Sequence, residues 1–139
     1  MLPHVSFPSP DGPTVEIRIS ARPELIPTVR AVASDLAGRA DFDLDAISDL
    51  RMAVDEACAT LVGLTTEDRV LSCRFFVGKE HIEVVASSPA VPTEGEVSTA
   101  SFGWRVLQTL ADEVSSSRGL DGQPDAVVIR LVKHAGAAK

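Results

Sequence analysis

No stretch of this chain approaches the roughly 20 consecutive apolar residues that a membrane-crossing helix needs, so no membrane-spanning helix is expected. No run of Lys or Arg occurs, and the formal charge is −7. A protein that grips DNA or RNA phosphates carries a basic patch, so direct nucleic-acid binding is not expected. The two cysteines, Cys58 and Cys73, form no CxxC pair and have no histidine at metal-ligand spacing. They read as buried, reduced thiols of a cytoplasmic protein. The start, Met1 to Pro8, has neither a basic opening nor an apolar run, which argues against a secretory signal. No GxxxxGK[ST] or GxGxxG motif occurs, and no Ser–His–acid arrangement stands out. His4, His81 and His134 fall in a leader, at a hairpin and in the tail, and read as surface histidines.

What is present suits one folded unit. The chain has 139 residues, 45% of them hydrophobic, enough for a single core. Residues 1–13 hold Pro3, Pro8, Pro10 and Pro13 and read as an extended leader. Thr14 to Ser20 alternates polar and apolar positions with β-branched residues, the pattern of a half-buried strand. Pro23 and Glu24 open a helix with apolar positions Ile26, Val29, Ala33 and Leu36, and Gly38 is expected to end it. Asp43 and Asp45 open a second helix reaching about Leu64, with Ile47, Leu50, Val54, Cys58 and Leu61 as its buried stripe. Val70–Val77 and Ile82–Ala86 read as a hairpin turned by Gly78-Lys79-Glu80. Ser87 to Ser101 reads as a long loop. A third helix over Phe102–Ala111, a short strand at Glu113–Ser116, a last strand at Ala126–Val132 and a frayed tail from His134 complete the order. The expected fold is an α+β two-layer sandwich: a largely antiparallel, mixed sheet covered on one face by about three helices, forming one domain over residues 14–133.

On the second helix, at about 100° per residue, Glu56 lies opposite the apolar stripe; Thr60 shares its face and Gly63 falls nearby. A carboxylate and a hydroxyl so placed can hold a water or a cation, or can be plain solvated surface. Spacing alone does not distinguish the two.

The run Leu50-Arg51-Met52-Ala53-Val54-Asp55-Glu56-Ala57-Cys58-Ala59-Thr60 resembles the N-box helix of the RsbW/SpoIIAB-like anti-sigma factors, within the histidine-kinase/gyrase/Hsp90-type ATPase superfamily (Bergerat fold). Gly103-Trp104-Arg105-Val106-Leu107-Gln108-Thr109-Leu110-Ala111-Asp112-Glu113-Val114 resembles that family's later glycine-led helix, and the look is that of its mycobacterial branch. The resemblance implies that Glu56 is the general base of any phosphoryl transfer. It puts Thr60 where the family has a magnesium-binding asparagine, making Thr60 a weak magnesium candidate. Ala86-Ser87-Ser88-Pro89-Ala90 stands where the family has Asp-x-Gly-x-Gly, so the adenine-binding aspartate and both glycines are replaced and Ser87, Ser88 and Gly103 are what remains for ATP. Binding of Mg-ATP is therefore expected to be weak or absent. Arg30, with Ile26 beside it, stands where the family has its partner-docking helix. The implied function is an anti-sigma factor that sequesters an alternative sigma factor from core RNA polymerase, relieved by an anti-anti-sigma antagonist of the STAS type, acting as a homodimer. An active serine-protein kinase acting on that antagonist is the alternative reading. A redox-responsive regulator using Cys58 and Cys73 is a third.

Overall fold

The computed structural model describes residues 12–91, 93 and 95–136; of the expected leader over residues 1–13, residues 1–11 lie outside them. The element order is β1 (Thr14–Ser20), α1 (Ile26–Arg39), α2 (Leu44–Leu64), β2 (Val70–Val77), β3 (His81–Pro89), α3 (Phe102–Leu110), β4 (Glu113–Leu120) and β5 (Gln123–His134). The five strands form one sheet in the order β1-β2-β3-β5-β4, and all four pairings are antiparallel. The mixed sheet expected from sequence is thus wholly antiparallel, because each helical segment returns the chain to an edge or to a strand running the opposite way. No helix among the described residues is long and apolar enough to cross a membrane.

Local chemistry sets the helix boundaries. A short 3-10 turn over Pro23–Leu25 precedes α1, so proline falls where no donor is needed. Gly38 does not stop α1. The helix runs on to Arg39, and the left-handed residue that turns the chain is Asp41, at φ 60°. Aspartate tolerates that region because its short polar side chain bonds locally. Asp43 caps α2, its carboxylate accepting from the Ala46 amide at 2.7 Å. The chain end secures the same point: the Asp43 amide donates to the Ala135 carbonyl and the Ala135 amide to the Glu80 carbonyl. His134 lies inside β5, opposite His81 with ring centroids 6.2 Å apart, so the expected tail from His134 is sheet and stitching as far as Gly136.

The main core lies between the helices and the sheet. From α2 it takes Leu50, Ala53, Val54, Ala57, Cys58 and Leu61; from the sheet it takes Leu71, Cys73, Phe75, Ile82, Val84, Ala86, Ile129 and Leu131. Each fully buried leucine, valine or phenylalanine contributes about 1.5–3 kcal/mol, so α2 is fixed firmly on its apolar side. A smaller cluster on the opposite face joins Val85, Leu120, Ala126 and Val128, with Phe76 against it.

Two sequence expectations about strand length fail. Ser87, Ser88 and Pro89 belong to β3 and pair with Val128, Val127 and Ala126, so the long loop begins only at Ala90. The strand at Glu113 runs on to Leu120 and closes a long hairpin through Asp121 and Gly122, whose φ values of 52° and 79° are those of a two-residue hairpin turn.

Candidate functional site

The middle helix, α2, packs against both α1 and α3. Its apolar side faces the sheet, which turns Glu56 and Thr60 toward α3 and Asp55 toward α1. Glu56 is therefore half-buried on the flank of α2, not opposite the stripe in open solvent. Thr60 Oγ1 donates to the Glu56 carbonyl at 2.9 Å and lies 3.3 Å from Glu56 Oε2. A hydroxyl has one hydrogen, so these acceptors share it.

Gly103, second residue of α3, closes the group. A Cβ there would overlap Glu56 Oε2 and stand 3.1 Å from Glu56 Cδ. Only glycine lets the carboxylate lie against the start of α3. That start is positioned by Ser101, whose hydroxyl accepts from the Trp104 amide at 3.1 Å, while Trp104 and Leu107 anchor α3 in the core. Three residues singled out from sequence (Glu56, Thr60 and Gly103) thus meet at one place. Gly63 lies exposed on the last turn of α2, where a side chain would meet open space.

The serines do not join them. Ser87 shares a sheet face with Val85 and Val128, the face turned away from Glu56. The β3 strand continues through Ser87 to Pro89, and its alternation keeps Ser87 on that face. Ser88 is buried toward the core side, but its hydroxyl donates to the Val70 carbonyl at 2.9 Å. Ala86, where the resembled family has an acid for adenine, is 1% exposed and packs in the main core.

On the adenine side these residues do not fit ATP in the way the resembled family's boxes hold it. Magnesium takes a near-octahedral shell of oxygens. Bound beside a nucleotide it keeps several waters and takes only one or two protein oxygens, and here Glu56 and Thr60 would offer one carboxylate and one hydroxyl. On the adenine side the described residues provide an alanine methyl and a serine already engaged.

Arg30 reaches from α1 to α2, its Nη1 donating to Asp55 Oδ2 at 3.1 Å; both side chains are about one-third exposed. The second oxygen, Asp55 Oδ1, is buried and has no hydrogen-bond partner among the described residues. Ile26 is half-buried against the main core, so less of it is available to a partner than its position at the start of α1 implies. Cys58 and Cys73 are both buried, with their sulfurs 3.7 Å apart. The Cys73 contact and burial push the Cys58 thiol well above its usual pKa, and a protonated thiol is a poor nucleophile.

One element that sequence reasoning did not find is Arg118 of β4. Its Nη1 donates to the Ala90 carbonyl and, at 3.3 Å, to that of Asp125, and its Nη2 to the Gly95 carbonyl at 2.8 Å. Glu96 lies 3.7 Å from its Nε. Thr65 and Arg69 hold the Pro89 carbonyl from the other side, at 2.5 and 3.2 Å. The segment between β3 and α3 is thereby tied down at its root. No sequence pattern joins an arginine to a loop so far upstream.

Comparison with known proteins bears out the fold. The histidine kinase-like ATPase domain family matches residues 19–133. The chain is 38% identical over 112 residues to the anti-sigma-F factor RsbW of Mycobacterium tuberculosis, covering 80% of this chain and 65% of that protein. It is 31% identical over 120 residues to the serine-protein kinase RsbW of Bacillus velezensis and 30% identical over 120 residues to that of Bacillus subtilis, in each case covering 72% of this chain and 75% of the relative. The chain thus spans just under two thirds of the length of the mycobacterial relative. Its fold is that of the crystal structure of the RsbU and RsbW domains of a Mycobacterium tuberculosis protein, at a TM-score of 0.63 and 16% identity over 88% of this chain and 32% of the other. With its N-box helix, its glycine-led α3 and its antiparallel sheet, the chain belongs to the histidine kinase-like ATPase domain family, among its RsbW-type members.

Proposed function

We propose that this protein is an anti-sigma factor that acts by sequestration. It binds an alternative sigma factor and keeps it from core RNA polymerase, and a STAS-type anti-anti-sigma protein releases it. The carrying observation is the 38% identity with a mycobacterial anti-sigma-F factor, in a chain whose adenine-side acid is replaced by a buried alanine. The α1–α2 layer remains intact, and its exposed edge carries Arg30. Arginine is enriched at the centres of protein interfaces, and an acidic chain suits a basic partner surface. In this reading the chain works in the cytoplasm as a homodimer, which light scattering on the isolated protein checks.

The test is capture of the alternative sigma factors of the host by the tagged protein, with and without Mg-ATP. Capture of one of them in both conditions is expected. Arg30→Ala should weaken that binding about 30-fold, the effect of a typical interface anchor of about 2 kcal/mol. Its melting temperature should change little, since an ion pair with both side chains about one-third exposed contributes about 1 kcal/mol. Capture of none of the sigma factors would remove this reading.

A second reading, a serine-protein kinase that phosphorylates the antagonist, is favoured by Glu56 and by the kinase relatives from Bacillus. Transfer of label from ATP to a candidate antagonist, lost in Glu56→Gln, would establish it in place of the first.

A further inference from the structure

The sheet carries helices on one face. On the other, a cavity of about 350 Å³ is walled by β1, β2, β3 and the β4–β5 hairpin. Its bottom adjoins the small apolar cluster of Val85, Leu120, Ala126 and Val128. We propose that this cavity binds a phosphate oxyanion, either free or carried as an ester by a small molecule.

Charge is the first argument. In a chain of net charge −7, Arg18, Arg69 and Arg74 all line this one cavity. Asp121 also lines it, but Arg74 Nη2 donates to its carboxylate. Glu16, beside the cavity, accepts from Arg18 Nε at 3.0 Å and from the Ser72 hydroxyl at 2.9 Å. The acids are therefore engaged by part of each guanidinium only.

Unused donors are the second argument. A guanidinium has five N–H groups in a fixed fork. Among the described residues, the two terminal nitrogens of Arg18 and the Nη1 of Arg74 have no acceptor. Ser87 is the third and independent one. It is 8% exposed and lines the cavity, yet among the described residues its hydroxyl has no hydrogen-bond partner. That hydroxyl is not walled off from solvent, so it can donate to a ligand or to water in the cavity. Two arginine forks and a hydroxyl, all donors, match the three acceptor oxygens of a phosphomonoester better than the two of a carboxylate. The volume is that of a small-ligand site. The cavity lies across the sheet from Glu56, so it is independent of the reading of that site.

The experiment is a titration of the full chain with inorganic phosphate and, separately, with glycerol phosphate, followed by amide NMR shifts against sodium chloride at matched ionic strength. Saturable shifts at Ser72, Ser87 and Gln123 are expected. Ser87→Ala and Arg18→Gln should each weaken binding about tenfold, the loss of one charge-assisted hydrogen bond, with melting temperature unchanged. Tighter binding of glycerol phosphate identifies an ester as the ligand; equal binding identifies the free anion. Shifts that follow ionic strength alone, that gather at Glu56 and Thr60 instead, or that survive both substitutions would overturn the proposal.

Discussion

Gly103→Ala isolates the contact on which the Glu56 site depends. The added methyl overlaps Glu56 Oε2 and stands 3.1 Å from Cδ. Carbon atoms rest at about 3.5–4.0 Å, so the carboxylate must retreat by about 0.5–1 Å. What moves is the far end of a half-buried, flexible side chain, so turning it to a neighbouring or off-rotamer setting costs about 0.5–1.5 kcal/mol. Against this, replacing glycine at a position with ordinary helical backbone gains about 0.4–1 kcal/mol through the unfolded chain. The net change is within about 1 kcal/mol of zero, a shift of no more than about 4 °C in melting temperature for a domain near this size. The 3.3 Å approach between Thr60 Oγ1 and Glu56 Oε2 is lost in the process. Thermal unfolding by circular dichroism reads the first quantity, and the carboxyl carbon shift of Glu56 reads the second. The expected pair is a nearly unchanged melting temperature with a moved Glu56 signal. Sigma-factor binding should persist, whereas any phosphoryl transfer should be lost. A fall of 10 °C or more, or an unmoved Glu56, would refute the account of Gly103 as the residue that admits the carboxylate.

Other expectations follow from the same structure. The Cys58 pKa is raised above its ordinary value of 9.0 by the Cys73 contact and by burial. The folded state thus keeps a proton that the unfolded chain releases, so the stabilisation is intact below pH 9 and fades as pH rises above it. The slope is about 1.4 kcal/mol per pH unit. Denaturant unfolding of the native chain and of Cys58→Ala between pH 8 and 10.5 should show that slope only in the former, and equal slopes would count against a buried neutral thiol. Arg118→Ala removes the bonds to the Ala90, Gly95 and Asp125 carbonyls. It should cost about 1–3 kcal/mol, with faster hydrogen exchange in the peptide carrying Gly95 and Val97 and unchanged exchange at the centre of β3. Uniform exchange across the sheet would contradict a local clamp.

Periodic elements were readable before the structure, and their partners were not. The alternation in Thr14–Ser20 and the 3.6-residue stripe from Leu50 to Leu61 each report on one side of one element, and both are where expected. Gly38 misled because glycine is the usual residue past a helix end, while here Asp41 takes the left-handed position. Ser87, Ser88 and Pro89 look like loop by composition, yet β5 pairs with them, and Ser87 shares its sheet face with the apolar cluster of Val85 and Val128. The Asp121-Gly122 dipeptide was a usable signal for the β4–β5 hairpin, obscured by the polar run Ser115 to Gly119 ahead of it. At the site, one helical turn sufficed to pair Glu56 with Thr60. The approach of Gly103 and the reach of Arg118 are contacts between distant parts of the chain, which local pattern does not encode.

The lacing of the chain end onto the cap of α2 bears on how the protein can be handled. Gly136 sits at φ 124°, and any side chain there would run into the Asp43 carboxylate. A fusion or truncation made at residue 133 would free the first turn of the helix that carries Glu56, and its effect would be felt along the length of that helix. Tags and labels therefore belong beyond Gly136, where they leave the lace untouched.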